Sequence, residues 1–336
     1  MYILSVRIVN IRGAKTLDNK IQILIAVIIT AVVCIAGTYA LVGDNNSNQT
    51  ITATGSTTIQ PVMSIFAEEY GKATGVTVNV SGGGSGVGKA AALAAKPGDA
   101  LIGDMSTDLT QSDIKAGLVA TAIGMDAVVI IVDKDAGITS LTIDQLAKIY
   151  HGDITNWNQI TDTKTGLNGN NLKISPILRE DGSGTKDCID TIMTGSYSTL
   201  GISKDDMIKY EDSSGFAMQS STGGMLSQAE SVIGAIGYIN LGDMAQCVNT
   251  MPVAIGNGTN QPVAPSAAAV MATGTGHYPI SRTLNLVTNG SPNPVINSNA
   301  NATVWAFMSW IMSEYGQKIL VDKGGFVSLE FPALNP

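Results

Sequence analysis

The segment from residue 172 to residue 195 reads Leu172-Lys-Ile-Ser-Pro-Ile-Leu178, then Arg179-Glu-Asp181-Gly-Ser183-Gly184-Thr185, then Lys-Asp-Cys-Ile-Asp-Thr-Ile-Met-Thr-Gly195. Its apolar start is typical of a buried strand, its middle is a small polar loop, and its end has apolar residues at helical spacing. The first backbone N–H groups of a helix have no partner within the helix and carry the positive end of its dipole. This order therefore predicts an anion site at the helix N-terminus. Arg179 adds a formal positive charge whose planar donors suit a tetrahedral oxyanion.

Two further segments follow the same order of strand, small polar loop and helix. One runs Ile51-Thr-Ala-Thr-Gly55-Ser56-Thr57-Thr58-Ile59-Gln60-Pro61, and proline suits the first turn of the helix that follows. The other is an alternating strand, Val76-Thr-Val-Asn-Val80, followed by Ser81-Gly-Gly-Gly-Ser85-Gly-Val-Gly88 and an Ala-rich helix. Glycine permits a close approach of the backbone to a ligand, and hydroxyls donate hydrogen bonds without adding charge. A single such loop is usually a plain helix cap, but three of them favour an oxyanion site.

The composition excludes several classes of protein. The 336 residues carry a formal charge of −8, which argues against a nucleic-acid partner bound by a basic surface. Three Cys exclude a disulfide-stapled scaffold, and two widely separated His argue against a metal centre. The run Gly83–Lys89 matches the start of a nucleotide-binding P-loop, but Ala90 stands where the Mg²⁺-ligating hydroxyl is required. We therefore expect no metal, no cofactor and no nucleic acid.

The N-terminal part predicts a membrane segment. Residues Ile21 to Val42 form 22 consecutive positions without a charged side chain, and a spanning helix needs about 20 mainly apolar residues. Basic residues outnumber acidic ones in residues 1–20, so the positive-inside rule places that stretch in the cytoplasm and the main body outside. The apolar run is longer than that of most signal peptides, which favours an anchor at 21–42 over a cleaved signal segment, although cleavage stays open.

These motifs resemble those of the PstS family, the phosphate-binding proteins of high-affinity phosphate ABC transporters, from about Thr50 to Ser328. Arg179–Thr185 matches the family loop R-x-D-G-S-G-T, and Gly55–Pro61 is similar to G-[SA]-T-x-x-x-P. Further segments resemble the family at residues 82–86, 234–240, 278–282 and 305–325. The resemblance implies an α/β fold of the two-lobed type II periplasmic-binding-protein class with a hinge. The uncharged run 21–42 adds one N-terminal transmembrane helix before it. The resemblance also implies a discontinuous lobe 1, residues 50–125 plus 265–336, and a lobe 2, residues 126–264.

The candidate phosphate-binding residues come from the three loops and from one further position. In this hypothesis Asp181 holds Arg179, and Asp104 supports the site. The residues expected to contact phosphate are Ser56, Thr57, Thr58, Ser85, Ser106, Arg179, Ser183, Gly184 and Thr185. We expect Ser220–Gly224 to be either a further anion loop or, more simply, a helix start.

One position departs from the family. Many members read I-G-x-S-D, with an aspartate that accepts the proton of bound phosphate, whereas this chain reads Ile102-Gly-Asp-Met-Ser106-Thr-Asp108. A hydroxyl can accept that proton but does not repel a fully ionised oxyanion. Either neighbouring acid, Asp104 or Asp108, is a candidate substitute or an ordinary loop residue.

The sequence thus predicts an extracytoplasmic phosphate receptor that captures inorganic phosphate between two lobes and delivers it to the permease subunits of an ABC transporter. The alternative is a binding protein for sulfate, molybdate or arsenate. We expect no enzyme, because no metal cluster and no base beside a serine is visible. Cys188 and Cys247 are either one disulfide or two buried thiols.

Overall fold

The computed structural model describes residues 50–200, 217–258, 261–298 and 301–329. Helices and strands alternate along most of these ranges. The helices are α1 Gln60–Thr74, α2 Ser85–Ala94, α3 Gln111–Lys115, α4 Ile143–His151, α5 Gly184–Leu200, α6 Thr222–Ser231, α7 Ala267–Met271, α8 Ala302–Ile311 and α9 Glu314–Asp322. The strands are β1 Thr50–Gly55, β2 Thr77–Ser81, β3 Leu101–Met105, β4 Leu118–Asp133, β5 Ser140–Thr142, β6 Ser175–Arg179, β7 Ala217–Gln219, β8 Ala235–Asn240, β9 Thr250–Pro252, β10 Ala254–Gly256 and β11 Ser281–Asn289.

The strands form one long sheet in the order β2-β1-β3-β11-β4-β8-β6-β7, with β9 also paired to β4 and a separate pair β10-β5. Strands β1, β2 and β3 are parallel to one another, as are β6, β7 and β8. Strand β11 runs antiparallel to both β3 and β4. The carboxyl ends of β1 and β3 therefore face the same way, which brings the loops that follow them together.

Strand β4 connects the two halves of this sheet. Its first part pairs with β11 in a register that places Arg282 opposite Asp126, and its last part pairs antiparallel with β8 and β9. The segment from Ala127 to Val132 is fully buried, as expected for an apolar strand covered on both faces.

Two large hydrophobic cores lie on either side of this connection. One is built from residues between Ile51 and Ile123 together with residues between Leu284 and Phe326. The other extends from Ala127 to Ile280 and includes Val327. Phe66 and Phe307 fill the first core, and Trp157 and Tyr238 fill the second. Each half of the sheet thus buries its own apolar faces against its own helices.

Two sequence predictions, the N-terminal membrane segment and the state of the cysteines, can be compared with the described residues. The predicted membrane segment 21–42 lies outside the described residues, and no described helix combines the length and apolar character needed to cross a bilayer. Cys188 and Cys247 are free thiols, each packed against the second core. Burial raises the pKa of the Cys188 thiol to about 11.

Candidate functional site

The first loop is shaped by a glycine that no other residue could replace. Gly55 ends β1 at φ +139°, and a Cβ atom there would lie 2.3 Å from the carbonyl oxygen of Asp104. The next residue, Ser56, donates its backbone N–H to that same carbonyl at 2.8 Å. Its Oγ accepts the N–H of Thr58 at 3.2 Å. Because β1 and β3 approach each other this closely, the side chains of Ser56 and Thr58 lie at the carboxyl-terminal edge of the sheet.

Six hydroxyls meet at this edge, and we call them the hydroxyl cluster. Each is at most 2% exposed, and they come from the first loop, the starts of α2, α5 and α6, and the end of β3. Ser56 Oγ donates to Ser106 Oγ at 2.9 Å, and Thr58 Oγ1 lies 3.3 Å from Thr185 Oγ1. The members are Ser56, Thr58, Ser85, Ser106, Thr185 and Thr222.

Three helix N-termini deliver part of this cluster, as the sequence predicts for α2 and α5. Ser85 is the first residue of α2, Thr185 is the second residue of α5, and Thr222 is the first residue of α6. Helix α6 has Ser221 as its N-cap, with Ser221 Oγ accepting the N–H of Gly224 at 3.0 Å. The Ser220–Gly224 segment is thus a helix start, and it also contributes Thr222 to the cluster.

Arg179 ends β6 and is buried against the cluster, with 1% of its surface exposed. Its Nη1 donates to Thr222 Oγ1 at 3.3 Å, and its Nη2 donates to Thr57 Oγ1 at 3.2 Å. Its Nε donates to the carbonyl of Gln219 at 2.9 Å. A desolvated guanidinium that contacts hydroxyls from two separate loops is the arrangement expected of an anion-binding arginine.

The acid that holds Arg179 is Glu180, and the prediction that Asp181 holds it is wrong. Glu180 Oε1 lies 3.1 Å from Arg179 Nη2, and Glu180 Oε2 accepts from Nε at 3.2 Å. The Asp181 side chain is 91% exposed and pairs with Lys186 at 3.3 Å. The reason is that Asp181 lies in the turn before α5, which faces solvent, while the Arg179 side chain extends towards the end of β7.

Gly184 and Ser183 complete the loop before α5. A Cβ atom on Gly184 would lie 2.3 Å from Ser85 Oγ and 2.8 Å from Ser106 Oγ, so only glycine allows this helix start to approach the cluster. Ser183 is 1% exposed, and its Oγ accepts the N–H of Lys186 at 3.3 Å, which makes it the cap of the first turn.

A backbone hydrogen bond joins the second and third loops directly. The N–H of Gly86 donates to the carbonyl of Gly182 at 2.8 Å. Gly86 follows Ser85 at the start of α2, whose Ala92 belongs to a smaller hydrophobic cluster, whereas Gly182 precedes α5, whose Ile189 packs in the second core. The starts of these two helices are therefore in direct backbone contact beside the hydroxyl cluster.

Arg282 is the site residue that the sequence reasoning missed. It is the second residue of β11, is 6% exposed, and donates from Nε and Nη2 to Asp126 Oδ2 at 3.0 and 2.7 Å. Its remaining N–H groups reach Thr185 Oγ1 at 2.8 Å, Thr58 Oγ1 at 3.1 Å and Ser106 Oγ at 3.3 Å. Two features of the sequence could have indicated this pair. Arg282 ends the family-like motif 278–282, and Asp126 is a charged residue directly before the apolar run 127–132.

The two acids near Ser106 do not reach the cluster with their side chains. Asp104 is fully buried, and among the described residues its carboxylate oxygens have no hydrogen-bond partner. Burial raises the pKa of that carboxyl to about 8. Asp104 supports the site only through its backbone carbonyl, which Ser56 contacts, while Asp108 is exposed and accepts from Asn285 Nδ2 at 3.3 Å.

The P-loop-like lysine is directed away from the site. Lys89 Nζ lies 3.5 Å from Asp113 Oδ2, on the side of α2 that faces α3. Among the described residues there is also no group of three or more His, Cys, Asp and Glu placed to hold a metal ion. The described site consists of hydroxyls, helix N-termini and two arginines.

Neutral donors and acid-paired guanidinium groups that converge at one edge of an α/β sheet are the arrangement of a solute-binding protein of the periplasmic-binding-protein class. A family model described as a PBP superfamily domain matches residues 42–315, and the chain belongs to that family. The phosphate-binding protein PstS of Borreliella burgdorferi is 26% identical over 298 residues, which cover 85% of this chain and 92% of that protein.

Two solved structures share the fold. A putative phosphate ABC transporter substrate-binding protein with bound phosphate, from Clostridium perfringens, is 25% identical, with a TM-score of 0.64 over 84% of this chain and 100% of that chain. An ABC-type phosphate transport receptor from Vibrio cholerae is 25% identical, with a TM-score of 0.60 over 82% and 99%. The resemblance to the PstS family and the type II periplasmic-binding-protein fold are thereby confirmed. These relatives are binding proteins rather than enzymes, as the sequence predicts.

Proposed function

We propose that this protein is an extracytoplasmic phosphate receptor that captures inorganic phosphate between two lobes and delivers it to the permease of an ABC transporter. The observation that carries this proposal is the convergence of Arg179, Arg282 and the hydroxyl cluster at three helix N-termini. Such a site supplies many hydrogen-bond donors and two arginines, each of which is paired with a carboxylate. This set of groups suits a small tetrahedral anion. The relatives named for phosphate binding support the choice of anion.

The proposed contacts to phosphate come from both lobes. Thr57, Ser183 and Gly184 adjoin the hydroxyl cluster and belong to the proposed site with it. Lobe 1 supplies the first two loops and Ser106, and lobe 2 supplies Arg179 and the start of α5. A ligand that contacts both lobes stabilises the closed arrangement of the lobes. It does so to the extent that it binds the closed arrangement more tightly than an open one.

The two hydrophobic cores support the proposed division into lobes. Residues 50–125 belong to lobe 1 and lobe 2 begins at residue 126, with β4 as the first crossover. We place the second crossover near residue 281 rather than at the boundary of 265 expected from the sequence, because Val270, Tyr278 and Ile280 pack in the second core and Leu284 packs in the first. The C-terminal segment after it, up to residue 329, returns mainly to lobe 1.

We further propose that residues 21–42 anchor the receptor at the outer face of the cell membrane. This proposal is supported by the uncharged apolar run and the basic residues before it. An anchored receptor stays close to its permease, which favours transfer of phosphate without release into the medium.

Titration calorimetry tests the binding function. The purified full-length chain, dialysed into a phosphate-free buffer, should bind phosphate with one site per chain. Arg179→Ala should weaken binding by at least roughly a hundredfold, since it removes two charge-assisted hydrogen bonds worth about 1.5–3 kcal/mol each. Lys323→Ala, which removes one positive charge from an exposed position, serves as the control and should bind as the wild type does.

Two results would contradict the proposed function. One is a wild-type chain that releases no heat with phosphate and shows no rise in melting temperature. The other is an Arg179→Ala variant that binds phosphate as tightly as the Lys323→Ala control.

A further inference from the structure

Arg179 lies where β6 separates from β8. Of the five described residues of β6, only Ser175 and Pro176 pair with β8, whereas the last three pair with β7. The N–H of the next residue, Glu180, donates to the carbonyl of Gln219 on β7 at 3.3 Å. Because successive N–H groups of an extended chain point to opposite sides, the N–H of Arg179 points away from β7 and towards β8. Arg179 is buried, so that donor needs an acceptor within the protein.

The side chain of Tyr238 supplies this acceptor. Tyr238 lies on β8, two residues past the end of its pairing with β6, and its Oη accepts the N–H of Arg179 at 2.9 Å. The side chain is 1% exposed, and its ring packs edge-on against that of Tyr150, with 6.2 Å between the ring centroids. Burial raises the pKa of the Tyr238 phenol, so the group stays uncharged at neutral pH. A phenol oxygen thus takes the place that a carbonyl of β8 would hold in a continued pairing.

This bond fixes the main chain of Arg179 separately from its guanidinium group. The guanidinium group reaches Thr57 Oγ1 at 3.2 Å and Thr222 Oγ1 at 3.3 Å. Both distances are at the long end of the usual range for an N–H···O hydrogen bond. A shift of the Arg179 main chain by about 0.5 Å would therefore take the guanidinium group out of reach of the two hydroxyls. The position of β6 at this residue decides whether Arg179 meets the hydroxyl cluster.

We propose that Tyr238 is a positioning residue for phosphate binding, whose phenol oxygen holds the main chain of Arg179 so that its guanidinium group meets the anion. This inference rests on the proposed function and adds to it a residue from the second hydrophobic core. A tyrosine that only fills the core acts through its ring, whereas a positioning tyrosine acts through its oxygen. Tyr238→Phe separates the two roles, because it keeps the ring and removes the oxygen.

Titration calorimetry with phosphate compares the full-length wild type with Tyr238→Phe. The variant leaves the buried N–H of Arg179 without this acceptor, so phosphate affinity should fall roughly 5- to 100-fold. Tyr150→Phe is the matched control, because it removes a hydroxyl from the ring next to Tyr238 in the same core. The Oη of Tyr150 lies 3.5 Å from the carbonyl oxygen of Ile177. That contact is weak, so the control should bind phosphate within about twofold of wild type.

A double-mutant cycle shows whether Tyr238 acts through Arg179. In the Arg179→Ala background no guanidinium group is left to position, so Tyr238→Phe should change phosphate affinity by less than about twofold. Amide hydrogen exchange gives a second readout on the full-length chain labelled with ¹⁵N-arginine, which has four arginines, Arg7, Arg12, Arg179 and Arg282. In Tyr238→Phe the amide of Arg179 should exchange at least roughly tenfold faster, while that of Arg282 keeps its rate.

These measurements distinguish the outcomes. Equal phosphate affinities of Tyr238→Phe and Tyr150→Phe overturn this inference and leave the proposed function intact. So does an equal loss with and without the Arg179 side chain, since Tyr238 would then act on the fold as a whole. A wild type that binds no phosphate overturns the proposed function and this inference with it. If circular dichroism shows that Tyr238→Phe does not fold, the wild type decides: a protected Arg179 amide supports the inference and an unprotected one overturns it.

Discussion

A single methyl group at Gly86 should weaken phosphate binding while it stabilises the fold. Gly86 is the second residue of α2, and its N–H reaches the carbonyl of Gly182 across the contact between the two proposed lobes. A Cβ atom at Gly86 would lie 3.0 Å from the Cα atom of Gly182 and 3.4 Å from its carbonyl oxygen. Backbone atoms cannot rotate away as side chains do, so the Gly86→Ala variant has to move the two loops apart.

The magnitude follows from the cost of overpacking. Forcing an extra methyl group into a tight contact costs about 1–3 kcal/mol, and about 1.4 kcal/mol is a factor of ten in affinity. Because the clash exists only where the lobes meet, we expect phosphate affinity to fall by roughly 5- to 150-fold. Alanine in place of glycine also favours the helix by about 0.5–1 kcal/mol, so the melting temperature without phosphate should stay level or rise.

The assay is titration calorimetry with phosphate, together with thermal melts in phosphate-free buffer. Gly195→Ala is the matched control, because Gly195 is an exposed residue within α5 and a Cβ atom there meets nothing within 4 Å. It should show the gain in helix stability without the loss in affinity. The reasoning is refuted if both variants bind phosphate equally well. It is also refuted if Gly86→Ala lowers the melting temperature in phosphate-free buffer.

Two further variants test the buried ionisable groups Arg282 and Asp104. Arg282→Lys keeps the charge but loses the planar contact with Asp126, so phosphate affinity should fall roughly 10- to 100-fold on calorimetry; an affinity within twofold of wild type would exclude Arg282 from the site. Burial raises the pKa of Asp104 from 3.8 to about 8, so the folded state holds this proton more tightly than the unfolded state and the free energy of unfolding should fall as pH rises from about 4 to about 8. Asp104→Asn removes that contribution, and urea denaturation at pH 5 and pH 8 should show a smaller loss of stability with pH than in the wild type. An equal loss of stability between pH 5 and pH 8 in the wild type and in Asp104→Asn would mean that Asp104 does not carry the buried proton.

The sequence by itself determined the parts of the site that are contiguous along the chain. The strand, small polar loop and helix of 172–195 and of 51–74 are visible as periodicity and turn residues, and a helix N-terminus binds anions wherever it lies. Arg179 and the hydroxyls of its loop could be named for the same reason. The family resemblance then identified the fold, because the motifs occur in the same order.

Only the tertiary structure decided which distant residues complete the site. Arg282 and Asp126 are 156 positions apart, and the register between β11 and β4 places them side by side. Thr222 joins the cluster because α6 begins at the same edge of the sheet. The choice of Glu180 over Asp181 as the partner of Arg179 depends on which side of a turn faces solvent. Local sequence records none of this, because strand register, turn direction and the contact between the starts of α2 and α5 are set by packing over the whole chain.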